Sequence, residues 1–156
     1  MSAIGQYDVT ATALQMAMVG AGIGNGGQLM TPYLVAQTLS PELEVLDNTT
    51  PTQYSQVMSP TNATALLDMM VTVVERGTGS NARIPGVPVA GKTGTAQNAP
   101  TKPPHAWFVG VAPAVAGQAQ VAVAVVLQNG GGAAEVSGNK LAAPIAKAVM
   151  EAVLGR

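Results

Sequence analysis

Apolar positions near the start of the chain recur at the spacing of one helix face: Leu14, Ala17, Met18 and Ala21. Thr12 and Gln15 stand in the order of a capping box, in which the threonine hydroxyl accepts from a backbone amide and the glutamine reaches back. Gly26 and Gly27 follow, and glycine readily adopts the left-handed conformation that ends many helices. The pattern predicts a helix between Thr12 and Gly26.

Three glycines, at positions 20, 22 and 24, lie inside this predicted helix. Each costs about 1 kcal/mol relative to alanine in an exposed helix. That cost is understandable if another part of the backbone packs closely on the helix. We therefore expect close packing at these glycines.

A surface hairpin is predicted next. Residues 31–39 and 43–47 have the composition of short strands, and the turn sequence Ser-Pro-Glu at positions 40–42 lies between them. Such a hairpin contributes little to a core, so we expect it at the periphery.

A second helix is predicted after the hairpin. Ser59 is suited to its N-cap and Pro60 to its first position, where a missing N–H does no harm. Gly77 ends it. Its predicted apolar face consists of Leu66, Met70, Val73 and Val74.

The last third of the chain changes to strand-like segments, at residues 87–96, 106–113 and 120–128. Short connections between strands favour antiparallel neighbours. The link over residues 97–105 is rich in proline and is interpreted as a mobile loop. This part of the chain therefore predicts an antiparallel meander of three strands.

A final helix is predicted roughly from Ala142 to Leu154, with Pro144 in its first turn. Its predicted inward face consists of Ile145, Ala148, Val149 and Ala152. Alternation along the middle strand places one of the neighbours Trp107 and Phe108 in the core. The order of helices, meander and closing helix indicates an α+β fold with an antiparallel sheet flanked by helices.

Composition narrows the classes of function. The 156 residues suit one domain, and the net charge of -1 gives no field that would attract nucleic acid or an anionic membrane. There is no cysteine, which excludes disulfides, thiolate catalysis and zinc–cysteine sites, and no cluster of histidines or carboxylates suggests a metal.

The most apolar run, residues 121–127, is far shorter than the ~20 residues that span a bilayer. The first ten residues lack the basic and apolar regions of a signal peptide.

Only 10% of the residues are charged, against roughly 25% in an average soluble domain. Alanine and glycine are abundant in the predicted helices and strands. Part of the apolar surface is therefore expected to pack against another polypeptide segment.

The candidate chemistry lies in the sequence V-A-G-K-T-G-T-A-Q, residues 89–97. Residues 86–93 match the phosphate-binding pattern G-x-x-x-x-G-K-[ST]. A phosphate loop needs a buried strand before it and a helix after it, because the amides of the helix N-terminus hold the phosphates. Here N-A-R-I-P-G precedes the match, G-T-A-Q-N-A-P follows it, and Pro88 removes one amide. A nucleotide site is therefore the weaker interpretation.

In the stronger interpretation, this stretch is a strand that borders a cleft. Alternation directs Lys92 and Gly94 to one side and Thr93 and Thr95 to the other, so a twist or an exposed edge is needed for all of them to reach one ligand. Glycine in a strand permits close approach of a ligand backbone. A cation, two hydroxyls and an accessible amide suit a carboxylate and a developing oxyanion.

The sequence G-K-T-G-T-A-Q resembles the K-T-G signature of the penicillin-binding proteins, the serine D,D-transpeptidases of peptidoglycan synthesis. The surrounding segments resemble the same family in the same order: residues 4–35 around the first helix, 73–97 before and through the motif, 106–132 over the next two strands, and 142–154 in the last helix. Nearly the whole chain is similar, most of all to the class B enzymes of actinobacteria. The resemblance implies the C-terminal half of the β-lactamase/transpeptidase-like fold.

The resemblance also implies roles for the residues of the motif. Lys92 would supply positive potential near the nucleophile, and the hydroxyls of Thr93 and Thr95 would bind the carboxylate of a stem peptide or a β-lactam. The Thr95 amide would form one arm of the oxyanion hole, and Gly94 would leave room for the ligand. The resemblance further implies a membrane-tethered enzyme that works outside the cytoplasm. No metal or cofactor is predicted.

Two family signatures, S-x-x-K and S-x-N, are expected upstream of K-T-G and are not found there. Residues 137–140, Ser-Gly-Asn-Lys, match S-x-x-K and S-x-N together, but they come after K-T-G and one serine cannot fill both roles. We interpret them as a loop that leads into the last helix, with Ser137 as nucleophile the alternative. Residues 1–156 are then expected to be the C-terminal part of one transpeptidase domain, inactive alone and partnered by the upstream part.

A rival from another class stays open. The chain is then a non-catalytic module with a degenerate penicillin-binding fold, which binds a partner through its exposed apolar surface. The two hypotheses differ in the behaviour of the isolated chain. A monomer that folds cooperatively and exposes no apolar surface would support an independent module, whereas aggregation, domain swapping or dye binding would support part of a larger domain.

Overall fold

The computed structural model describes residues 9–97, 101–133 and 135–156. The helices in these ranges are α1 (Ala13–Gly24), α2 (Pro60–Arg76) and α3 (Ala143–Val153). The strands are β1 (Gln28–Met30), β2 (Gln37–Leu39), β3 (Val45–Asn48), β4 (Gln53–Gln56), β5 (Ala90–Ala96), β6 (His105–Ala112) and β7 (Val121–Leu127). The described helices are all too short or too polar to cross a membrane. The prediction of a mobile loop at residues 97–105 includes residues 98–100, which lie outside the described ranges.

The predicted meander is confirmed. Strands β5, β6 and β7 form an antiparallel sheet in that order, so β6 is central and β5 lies at an edge. Thr93 pairs with Phe108, and Phe108 pairs with Val125. The sheet is rich in valine and alanine, and β-branched side chains pack well on a pleated surface.

Helices cover both faces of this sheet. Phe108 is fully buried on one face, where it packs with Met150 of α3 and Val74 of α2. Val111 is fully buried on the other face, where Ile23 of α1 and Leu67 of α2 join it. Helix α2 therefore contributes to both clusters, which fixes it beside the edge strand β5.

Helix α1 has the predicted ends. The Gln15 amide donates to the Thr12 hydroxyl at 3.1 Å, and the Thr12 amide donates to the Gln15 side chain at 2.8 Å, which completes the capping box. The helix ends at Gly24, and Gly26 and Gly27 follow with φ of 63° and 83°.

Helix α1 packs on the sheet through the side that carries Gly20 and Gly24, whereas Gly22 lies on the opposite side, near Val57 and Leu29. Gly20 and Gly24 lie against Val109 and Val111 of β6, as the internal glycines predicted. Leu14, on the apolar side inferred from periodicity, is 59% exposed. Helical spacing alone does not identify the side of α1 that contacts the sheet. On that side, glycines stand where apolar side chains would otherwise mark the contact.

The predicted inward face of α3 is wrong. Its buried residues are Ala143, Ala146 and Met150, together with Ala142 just before it. The predicted residues are exposed: Ile145, Ala148, Val149 and Ala152. The helix carries apolar residues on two stripes, and the stripe with the smaller side chains fits closely under the sheet. Pro144 lies in the first turn, as predicted.

The predicted hairpin is confirmed as β2 and β3, which are shorter than the segments predicted for them. The pairing of β1 with β4 extends the same ribbon towards the body of the protein. This extension was not predicted, since β1 and β4 are short and rich in glutamine. Helix α2 begins and ends as predicted, with the Ser59 hydroxyl accepting from the Asn62 amide at 3.2 Å and Gly77 as its C-cap.

Candidate active site

Lys92, Thr93, Gly94 and Thr95 lie in the middle of β5. Before the strand, Ile84 and Val87 form an isolated bridge around a turn in which Gly86 has a φ of 74°. The lysine and threonine that match the phosphate-binding pattern therefore stand within a strand, and no helix of the described ranges begins at the motif to hold a phosphate. The geometry does not suit a nucleotide.

Strand β5 supplies the exposed edge that the sequence analysis required. Among the described residues, it pairs with β6 alone, on one side. Lys92 and Gly94 alternate with Thr93 and Thr95 along it, and the side chains of Lys92 and Thr95 are exposed. The Lys92 ammonium donates to the Thr93 carbonyl oxygen at 2.7 Å, so the lysine side chain lies along its own strand.

A threonine outside the motif is in contact with it. The hydroxyl oxygens of Thr78 and Thr93 lie 3.0 Å apart, within hydrogen-bond distance. Thr78 follows the C-cap of α2, where the amides of Gly77 and Gly79 both donate to the Val73 carbonyl, at 3.1 and 2.9 Å. No sequence pattern points to Thr78, since a single threonine after a helix-ending glycine is common and matches no chemical motif.

The segment that matches S-x-x-K forms the turn that leads into α3, as the sequence analysis favoured. The Ser137 hydroxyl accepts from the Lys140 amide at 3.1 Å and so caps a single turn of π-helix over Gly138–Ala142. The Lys140 ammonium bonds to the Glu135 carboxylate. Ser137 is therefore engaged as a cap, and the lysine that would activate it is paired elsewhere.

The same segment lies directly on β5. A Cβ built on Gly138 would collide with the Trp107 carbonyl oxygen and would lie 2.9 Å from the Gly94 carbonyl oxygen. Asn139 beside it bonds to Asn81, 58 residues earlier in the chain. The turn after α2, the turn before α3 and the strand β5 thus meet at one place. In the part of the chain that the structure describes, no group of histidine, aspartate and glutamate is arranged to hold a metal ion.

Comparison with known proteins gives three kinds of match. The family described as penicillin binding protein transpeptidase domain matches residues 1–151. Peptidoglycan D,D-transpeptidase PbpA of Mycolicibacterium smegmatis is 44% identical over 99% of this chain and 31% of its own length. The protein of the same name from Mycobacterium tuberculosis is 43% identical, over the same shares. The chain thus spans about a third of the length of these curated relatives.

Solved structures agree with the sequence matches. The ceftriaxone acyl-enzyme complex of penicillin-binding protein A from M. tuberculosis superposes with a TM-score of 0.92 at 43% identity, over 99% of this chain and 35% of that one. The D,D-transpeptidase domain of a peptidoglycan glycosyltransferase from Eggerthella lenta gives a TM-score of 0.83 at 39% identity, over 94% of this chain and 33% of that one. The predicted fold is therefore confirmed by proteins whose structures are known.

Proposed function

The chain belongs to the penicillin-binding protein transpeptidase domain family, and from that premise we propose that it is the K-T-G-bearing part of a serine D,D-transpeptidase that cross-links peptidoglycan. The observation that carries the proposal is the position of Lys92–Thr95 on the open edge of the sheet. A ligand can approach that edge as an additional strand, close to Gly94 and within reach of the flanking hydroxyls.

The proposed reaction proceeds through an acyl-enzyme. A serine hydroxyl attacks the carbonyl carbon of the D-Ala-D-Ala bond, the serine proton is removed, and the terminal D-alanine leaves with a proton on its nitrogen. The amine of a second stem peptide then attacks the acyl carbon. The new amide bond forms, the ester bond to the serine breaks, and the proton lost by the amine is balanced by the one that the serine oxygen takes up. A β-lactam takes the place of the donor peptide, and its ring nitrogen cannot leave because it stays attached. The serine and its lysine are supplied by an upstream S-x-x-K segment, and S-x-N lies upstream as well.

Lys92 contributes positive potential at the site. Its ammonium bonds to the Thr93 carbonyl and is solvent-exposed at the free edge of β5. In that position it stabilises a substrate carboxylate and the negative charge that develops during acylation. A short rotation of its side chain exchanges the carbonyl oxygen for a ligand oxygen.

Thr93 and Thr95 bind the ligand carboxylate through their hydroxyls in this proposal. Thr95 also supplies one amide of the oxyanion hole. In an antiparallel strand the N–H and C=O of one residue point to the same edge, and those of the next residue point to the opposite edge. Gly94 pairs with Trp107 of β6, and a Cβ built on Gly138 would lie near the Trp107 carbonyl oxygen and near both the nitrogen and the carbonyl oxygen of Gly94. This supports a Gly94 peptide that faces β6 and a Thr95 amide that faces the open edge.

The partners and location follow from the same proposal. The substrate is a peptidoglycan stem peptide, β-lactams compete with it, and the upstream part of the domain completes the site. Cross-linking of peptidoglycan takes place outside the cytoplasm, so we assign the chain to an extracytoplasmic domain of a membrane-anchored protein.

Intact mass spectrometry after incubation with benzylpenicillin tests the proposal. Two proteins are compared: the 156-residue chain, and a longer protein in which the upstream S-x-x-K and S-x-N segments precede it. We expect one penicilloyl adduct per molecule on the longer protein and none on the 156-residue chain. Penicilloic acid, in which the lactam ring is already open, is the control for non-covalent binding.

Two outcomes would overturn the proposal in different ways. An adduct on the 156-residue chain would place the nucleophile within it and make Ser137 the first candidate. No adduct on the folded longer protein would favour the non-catalytic interaction module.

A further inference from the structure

We propose that Asn139 is a positioning residue for the transpeptidase site, acting on Thr93 through Thr78. The inference rests on the proposed function and adds a residue that lies outside the K-T-G motif. Asn139 belongs to the turn before α3, and Thr78 belongs to the turn after α2.

Asn139 joins these two turns through three hydrogen bonds. Its side-chain oxygen accepts from the Asn81 backbone amide at 2.9 Å, and its backbone carbonyl accepts from the Asn81 side chain at 3.1 Å. Its side-chain nitrogen donates to the Ser80 hydroxyl at 3.2 Å. The Asn139 amide thus uses both its oxygen and its nitrogen on residues 58 and 59 positions away.

The turn that carries Asn139 is itself fixed on the motif strand. Gly138 lies so close to the backbone of Gly94 and Trp107 that a side chain there would collide with a carbonyl oxygen. Two backbone segments in such close contact keep a fixed relative position, because packed backbone cannot shift in the way that a flexible side chain can. The bonds of Asn139 therefore resist a displacement of residues 80 and 81 relative to β5.

Thr78 is the residue that this arrangement holds in place. The α2 C-terminus fixes it from one side, where the Gly77 and Gly79 amides share the Val73 carbonyl. The Asn139 bonds fix Ser80 and Asn81 on the other side. Thr78 is thereby kept with its hydroxyl 3.0 Å from that of Thr93.

The contact between the two hydroxyls has a chemical consequence. Each threonine hydroxyl has one proton and can donate only one strong hydrogen bond. When Thr78 donates to Thr93, the proton of Thr93 is available for a ligand carboxylate, and the two bonds polarise one another in the same direction. If Thr78 moved away, the Thr93 hydroxyl would rotate freely before a ligand arrived.

A double-mutant cycle tests whether Asn139 acts through Thr78. The longer protein with the upstream segments is prepared as wild type, Asn139→Leu, Thr78→Val and the double variant, and the second-order rate of acylation by benzylpenicillin is measured. We expect each single substitution to slow acylation about tenfold, since the loss of one hydrogen bond between neutral groups has an effect of this order. The double variant is expected to be about as slow as either single variant, because both remove the same contact.

Three further variants make the test specific. Thr78→Ser keeps the hydroxyl and is expected to stay near the wild-type rate. Asn81→Ala removes only the bond to the Asn139 carbonyl and is expected to slow acylation less than Asn139→Leu does, which keeps the test available if that variant folds poorly. Asn48→Leu removes an amide hydrogen bond to Gln37 in the distant hairpin and is the control.

The outcomes separate this inference from the proposed function. A wild-type protein that is not acylated contradicts the proposed function. A wild-type protein that is acylated, with an unchanged rate in Asn139→Leu or with effects of Asn139→Leu and Thr78→Val that multiply, overturns the role of Asn139.

Discussion

The ring of Phe108 occupies the space that a side chain at Gly91 would need. A Cβ built on Gly91 would collide with Cζ of the ring and would lie 3.1 Å from a methyl group of Val74. Phe108 is fully buried and Val74 nearly so, which leaves the ring nowhere to move. The first glycine of G-K-T-G is therefore required by the core, whereas Gly94 lies beside the proposed ligand position.

Replacement of Gly91 by alanine is accordingly expected to destabilise the protein. Overpacking of a well-packed core typically costs about 1–3 kcal/mol, and we expect a loss of this size in the free energy of unfolding. Urea unfolding followed by the fluorescence of Trp107, the one tryptophan of the chain, measures it. Phe108→Leu should relieve part of the loss in a double variant. An unchanged unfolding midpoint would contradict the packing argument.

Two glycines of α1 are expected to respond differently to the same substitution. A Cβ on Gly24 would lie 2.7 Å from the fully buried Val111, whereas a Cβ on Gly22 would lie 3.2 Å from Val57, which is 49% exposed and can move. Gly24→Ala should lower the free energy of unfolding by about 1–3 kcal/mol. Gly22→Ala should be near neutral or stabilising, because alanine favours the helix by about 1 kcal/mol. The reverse order, measured by urea unfolding, would show that α1 packs differently.

Local signals in the sequence were sufficient for much of the fold. The Thr12 capping box, the Ser59 N-cap and the helix-ending glycines depend on residues a few positions apart, so the sequence alone identifies them. The meander was predictable because short links join segments of β-branched residues. The motif strand could be identified from its resemblance to a family.

Contacts between distant segments were not predictable in this way. The buried stripe of α3 consists of alanines and Met150, and an equally apolar stripe lies on its exposed side. The bonds of Asn139 to Ser80 and Asn81 join single polar residues that no spacing rule connects. Thr78 reaches Thr93 only because α2 ends beside β5.

Removal of the charge of Lys92 should slow acylation. In the longer protein that carries the upstream segments, Lys92→Met is expected to lower the second-order rate with benzylpenicillin about 100-fold or more, since one stabilising group at a developing oxyanion has an effect of this order. Lys92→Arg keeps the charge and should retain more of the rate. Quenched-flow mixing with intact-mass detection gives the rates. Equal rates for Lys92→Met and wild type would refute the assigned role.

Loss of the Thr95 hydroxyl should affect ligands with a carboxylate most. Thr95→Val preserves the shape of the side chain and the backbone amide, so the oxyanion donor stays in place. We expect acylation by benzylpenicillin to slow about tenfold, as for the loss of a hydrogen bond to a charged group, and acylation by its methyl ester to change much less. Thr95→Ser is the matched control. A similar fractional loss with both ligands would indicate that the hydroxyl does not bind the carboxylate.

Ser137 provides the last test, because it separates a cap from a nucleophile. Its hydroxyl accepts from the Lys140 amide, and the Lys140 ammonium is paired with Glu135. Ser137→Ala should therefore lower the free energy of unfolding by about 0.5–2 kcal/mol, the usual loss for a capping serine. The longer protein with this substitution should still acquire one penicilloyl adduct per molecule. Ser137→Asp, which can cap in the same way, should keep most of the stability. An adduct that disappears in Ser137→Ala while the protein remains folded would identify Ser137 as the acylated residue and would overturn the upstream assignment of the nucleophile.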